Sequence, residues 1–102
     1  MKNEELQEQV LQWANDKGIL KPENALKQFA KFISEAGELG DAIIKYDMNE
    51  TVDAIGDVQV TLIILCNQLG FDYNHCLETA YNVIKHRQGK TVNGTFIKDA
   101  RA

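Results

Sequence analysis

The chain is almost free of helix breakers: its only proline is Pro22, and most of its glycines stand where an apolar periodicity starts or stops. That punctuation marks out four helical segments with short links and leaves no strand of convincing length. The first is expected from about Glu4 to Lys17. Asn3 would be its N-cap, Gly18 would take the left-handed position beyond its end, and Leu6, Val10, Trp13 and Ala14 form one apolar stripe. Pro22 suits the first turn of a second helix running to about Tyr46, because a first-turn residue needs no intrahelical N–H partner. Leu26, Phe29, Phe32, Ile33, Ala36, Leu39, Ile43 and Ile44 cover more than one face of that helix, so burial on several sides is expected.

The third segment, about Glu50 to Leu69, is more apolar still and stops at Gly70; Val60–Leu65 alone has strand character, but the long uninterrupted run favours a helix. Asp72 is the expected N-cap of a fourth helix carrying Leu77, Ala80, Tyr81 and Ile84 and ending at Gly89. From Lys90 the chain changes character, and Asn93-Gly94 signals the turn of a very small hairpin in an arm over residues 90–102. The expected architecture is all-α: one domain over residues 1–102, a four-helix bundle completed or enlarged by a second subunit, since two of its helices are apolar nearly all round.

Charge narrows the function. A net charge of −4 and a pI near 5.1 argue against a binder of nucleic-acid polymers. No Lys or Arg lies between Lys45 and Lys85, whereas Asp47, Glu50, Asp53, Asp57, Asp72 and Glu78 do; Lys85, Arg87, Lys90, Lys98 and Arg101 follow. An acidic centre beside a basic end suits a cation in one place and a polyphosphate next to it. Cys66 and Cys76 match neither metal-ligand nor redox spacing and read as core thiols. The acidic N-terminus lacks a signal-peptide core, and Val60–Cys66 is too short to cross a bilayer, so a cytoplasmic protein without membrane attachment is expected.

Glu35 and Glu38, three apart, project from nearly one helix face, as do Asp53 and Asp57, four apart on the next helix. Isolated acidic pairs are usually solvated surface, but a solvated face interleaves Glu with Lys. At those offsets Glu38 has Ser34, Glu35, Asp41 and Ala42, and Asp57 has Asp53, Ala54, Val60 and Thr61. Only Glu35 has a basic neighbour, Lys31. A bound cation relieves such repulsion, and a set of carboxylates without His or Cys favours Mg²⁺, or Mn²⁺, over Zn²⁺. Gly37, Gly40 and Gly56 lie among these acids and leave room for close helix approach or a ligand.

The run Phe32-Ile33-Ser34-Glu35-Ala36-Gly37-Glu38-Leu39, followed by Asp53-Ala54-Ile55-Gly56-Asp57-Val58, resembles the MazG-like all-alpha nucleotide pyrophosphohydrolases, above all the short single-domain proteins of phages and some bacteria. The likeness extends through Lys85-His86-Arg87-Gln88-Gly89-Lys90-Thr91-Val92-Asn93-Gly94-Thr95-Phe96. Of the family's EExxE and ExxD pattern, Glu35, Glu38 and Asp57 are in place. Ser34 and Ala54 replace two acids, with Asp53 able to supply one carboxylate and Glu50 a more distant substitute. The resemblance implies hydrolysis of a nucleoside triphosphate between its α and β phosphates, giving the monophosphate and pyrophosphate, by a metal-activated water. It implies Glu35, Glu38 and Asp57 as ligands, Asp53 as ligand or water-orienting base, and Lys85 and Arg87 as phosphate contacts unless they serve the helix dipole. Lys31 either contacts phosphate or pairs with Glu35. Asn82, one turn before Lys85, falls on the same side, and Trp13 is a base-stacking residue, a core residue or a subunit contact. The rivals are a dUTPase-like or phosphoribosyl-ATP pyrophosphohydrolase and a catalytically silent oligomer that binds a nucleotide or a protein; dimer and tetramer stay equally open.

Overall fold

The structure, a computed structural model, describes residues 1–100; Arg101 and Ala102, the end of the expected arm, lie outside the described residues. Four helices, α1 (Asn3–Asp16), α2 (Ala25–Ile44), α3 (Met48–Gln68) and α4 (Tyr73–Ile84), precede two strands, β1 (Gly89–Val92) and β2 (Thr95–Lys98). The expected mostly helical fold with a terminal hairpin is present, and local chemistry accounts for the shifted boundaries. Pro22–Asn24 forms a 3₁₀ turn instead of the first turn of α2. Lys2, not Asn3, precedes α1, with no side-chain cap. α3 begins a little before Glu50 because Asp47 caps it, accepting from the Glu50 N–H at 3.0 Å. Asp72 caps α4 as expected, accepting from the His75 N–H at 2.8 Å, but α4 stops at Ile84, and Gly89 opens β1.

Three helices end in the same way. At the end of α1 the Ile19 N–H reaches the Ala14 carbonyl and Gly18 bonds Asn15; at the end of α3 the Phe71 N–H reaches Cys66 and Gly70 bonds Asn67. Gly18 and Gly70 take positive φ there, as this doubly bonded ending requires. At the end of α2 the same pair of bonds, Asp47 to Ala42 at 3.2 Å and Tyr46 to Ile43 at 3.1 Å, is made with Tyr46 at φ 57°. The turn is so short that α2 and α3 run antiparallel and pair along their length. In the hairpin Asn93 and Gly94 both have positive φ, the requirement of a two-residue type I′ turn, and the register pairs Gly89 with Lys98 and Val92 with Thr95.

The packing departs from a closed four-helix bundle. α1 lies on α3, where Gln68 Nε2 donates to the Ile19 carbonyl just beyond the end of α1 at 3.1 Å, and Gln7 Nε2 ties α1 to the first turn of α4 by donating to Asn74 Oδ1 at 3.0 Å. α4 leaves α3 at 102° and makes no close approach to α2. Cys76, in its first turn, is therefore exposed and Cys66 half-buried, not the pair of core thiols expected; burial still pushes the Cys66 thiol up. Among the described residues the buried apolar ones are Ala14, Ala42, Ala54, Ile63 and Ile64, and no large side chain is fully enclosed. Instead of being buried on several sides, α2 leaves Leu26, Phe29, Ile33 and Ile44 exposed, on the side opposite its buried Glu35 and Ala42. α3 adds Met48, Val52, Ile55 and Leu69. The accessible surface, 8007 Å², exceeds by roughly 2,200 Å² the ~5,800 Å² usual for a monomer of this mass. The radius of gyration, 16.3 Å, compares with ~13 Å for a compact domain of this length.

Tyr46 is 88% exposed, so its left-handed backbone costs energy without a packing return. Tyr46→Gly is expected to raise unfolding stability by about 1 kcal/mol, read as a higher urea midpoint with an unchanged slope.

Candidate metal centre

α2 presents Lys31, Glu35, Glu38, Ala42 and Lys45 at helical spacing along one face, and α3 brings Asp57, Ala54, Asp53 and Glu50 past it in the opposite direction. The result is a cleft of about 290 Å³ lined by Glu38, Asp41, Lys45, Glu50, Asp53 and Asp57, floored by Ala42 and Ala54. Both small residues matter: Ala54, like Ala42, is buried between the helices, and a longer side chain there would fill the floor.

Glu35 sits one turn behind Glu38, outside the cleft lining and 7% exposed. Its Oε1 accepts from Lys31 Nζ at 3.0 Å, while its Oε2 is buried with no hydrogen-bond partner. Leaving a buried carboxylate oxygen unmatched is costly. Lys31, and after it the neighbouring Glu38, hold Glu35 below the usual carboxylate range. The neighbouring Glu35 carboxylate pushes Glu38 up in turn. Asp57 is raised first by burial, then by the charges of Asp53 and Glu35. The Lys31 ammonium is raised, chiefly by Glu35 and to a lesser degree by Glu38 and Asp57, so acids of both helices act on one another across the cleft.

Among the described residues no three His, Cys, Asp or Glu side chains already surround one point as metal ligands. The donor set nevertheless fits a hard divalent ion: oxygen ligands only, two helices to hold them, one buried oxygen without a partner, and like charges crowded enough to raise Glu38 and Asp57. Glu35, Glu38, Asp53 and Asp57 are the residues that would hold it, with Asp41 and Glu50 at the outer end.

Within one protomer the remaining expected site residues are not gathered here. Trp13 is half-exposed on α1, which packs on α3 and makes no close approach to α2. Asn82 lies on α4, and Lys85 and Arg87 follow it. The two cations line a separate apolar groove with Tyr81, Ile84 and Phe96, where Lys85 Nζ stands 5.7 Å from the centre of the Tyr81 ring. Lys45 and Asp41 were not among the expected site residues; their signal was their spacing, seven and three residues beyond Glu38.

No protein-family model matches the chain, and no solved structure matches it. It is 33% identical over 69 residues to a protein of Haemophilus phage HP1 described as an uncharacterized 18.2 kDa protein in the rep-hol intergenic region. The match takes in 68% of this chain and 42% of the phage protein, so the chain spans about two fifths of that relative's length.

Because Asp57 and Glu38 are raised, the folded metal-free chain binds protons more readily than the unfolded chain, and their effect on stability becomes more favourable as pH falls through those raised values. Glu35, lowered, acts in the opposite sense: its contribution is present above the ordinary carboxylate value and lost as pH falls through its depressed one. Asp57→Asn should raise the Tm in EDTA at neutral pH by about 4 °C, a gain that shrinks as pH falls through the raised Asp57 value. Scanning calorimetry with added Mg²⁺ should raise the Tm of the wild type and leave that of the variant unmoved.

Proposed function

We propose that this chain is a magnesium-dependent nucleotide pyrophosphohydrolase of the MazG-like all-alpha type, acting in the cytoplasm as a homodimer or homotetramer. The observation that carries the reading is the Glu35 carboxylate. α2 buries an acid with an unmatched oxygen and exposes Leu26, Ile33 and Ile44, the reverse of what stability alone selects. The match of Glu35, Glu38 and Asp57 to the family's acid positions supports it from the sequence side.

Bound Mg²⁺, or Mn²⁺, would offset phosphate charge and lower the pKa of a water. Glu35, Glu38 and Asp57 supply the charge that holds it, and Lys31 keeps Glu35 ionised and in place. Asp53, one turn from Asp57, accepts the proton of the attacking water, or ligates beside it. The water oxygen bonds to the α phosphorus, the α–β bridging P–O bond breaks, and its electron pair leaves with pyrophosphate. Since α4 makes no close approach to α2 in one protomer, Lys85, Arg87 and Asn82 are assigned to the phosphates of a neighbouring subunit's site, and Trp13 to the subunit contact or the base. The excess of about 2,200 Å² of surface per protomer is within the range that obligate homodimers bury.

A dUTPase-like or phosphoribosyl-ATP hydrolase would use the same acids on another substrate. A catalytically silent oligomer that binds nucleotide or protein is favoured by Ser34 and Ala54 at family acid positions and by a ligand set that is not gathered in advance.

Anion exchange of products after incubation with each ribo- and deoxyribonucleoside triphosphate and Mg²⁺ tests the reaction. Monophosphate and pyrophosphate in equal amounts are expected, reduced at least about a hundredfold in Glu38→Gln; no product with any of them rejects hydrolysis of these substrates. Sedimentation should give a dimer or tetramer that Ile33→Asp drives towards monomer, with helical content read in parallel.

A further inference from the structure

Two lysines bracket the acidic face of α2, and they are not equivalent. Lys31, one turn before Glu35, is committed to it at 3.0 Å. Lys45, two turns beyond Glu38, lines the cleft among Glu38, Asp41, Glu50 and Asp53, yet among the described residues it forms no ion pair. It stands at the C-cap of α2, where its backbone is fixed by a bond to the Asp41 carbonyl at 3.0 Å and by the tight turn into α3. It is also the last cation before the stretch without Lys or Arg that ends at Lys85. A lysine anchored at its backbone, free at its tip and lodged at the open end of an anionic cleft is placed to meet an anion that enters with a cation.

Resting on the pyrophosphohydrolase reading, we propose that Lys45 holds the outer phosphates of the substrate, so that the phosphate chain runs along α2 from the carboxylates towards the α2–α3 turn. The rise between Glu38 and Lys45 is about 10 Å along the helix axis, which the flexible lysine stem shortens to the reach of a polyphosphate tail. Lys31 is committed to Glu35, and Lys85 and Arg87 of the same protomer line a separate groove, so Lys45 is the cation that the protomer itself brings to its cleft. Lys45 therefore selects substrates with a long phosphate chain over monophosphates, and it offsets the charge that builds on departing pyrophosphate.

The test uses the full chain, Mn²⁺ read by electron paramagnetic resonance, and calorimetric titration with Mg²⁺ complexes of inorganic tripolyphosphate and orthophosphate, which carry no base. Lys45→Met should bind Mn²⁺ like the wild type, bind tripolyphosphate about tenfold more weakly, and change little towards orthophosphate. Lys45→Arg should recover most of the loss, since charge is the property required. A Lys45→Met protein that keeps full tripolyphosphate affinity while the wild type binds both metal and tripolyphosphate overturns the role of Lys45 and leaves the hydrolase reading standing. A wild type that binds neither overturns both.

Discussion

The pairing of α2 with α3 through a three-residue turn is the constraint on which the rest of the molecule depends. Lys45, Tyr46 and Asp47 complete the last carbonyls of one helix and cap the first amides of the next, so the antiparallel register follows from backbone hydrogen bonds close to the site. That register sets Ala42 against Ala54, and the small residues let acids on both helices stand within electrostatic reach. A shift of one residue would turn Glu38 and Asp57 away from each other by about 100°.

With the register set, the hairpin has two unlike faces. One is acidic, with Glu35 buried in it; the other carries the aliphatic and aromatic side chains that would ordinarily make a core. A protomer whose enclosed apolar residues are mainly alanines and isoleucines gains little from burial alone. The exposed face and the strained acids are one design question: the surface that would supply stability is turned outward, and the groups that reduce it are turned inward.

Much of this was legible in the residues. Gly18, Gly70 and Asp72 marked helix ends, and Asn93-Gly94 marked the β1–β2 turn, because each carries a local backbone requirement; Pro22 instead opens a 3₁₀ turn ahead of α2. The acid pairs were legible because intervals of three and four place side chains on one face. The start of α3 at Met48 was missed because Asp47 looked like one more acid in an acidic stretch, and the left-handed Tyr46 gave no glycine to flag the turn. The direction of α4 was not legible at all: helical periodicity names an apolar face but not the neighbour that covers it. For the same reason the sequence names Lys85 and Arg87 as phosphate contacts without showing that within the chain they line a groove apart from Glu35 and Glu38, and it leaves Lys45 unmarked although its spacing from Glu38 is visible.

The sparse attachment of α4 also bears on how the molecule moves. α2 and α3 pair along their whole length, whereas α4 packs only on α3, is tied to α1 by the single Gln7–Asn74 hydrogen bond, and carries no buried residue. Its opening exposes little apolar surface, so it belongs to the least costly level of local unfolding, and its amides exchange with solvent long before those of the hairpin. The basic residues at its end are thereby mounted on a helix that makes no close approach to α2 and can swing without disturbing the acidic cleft.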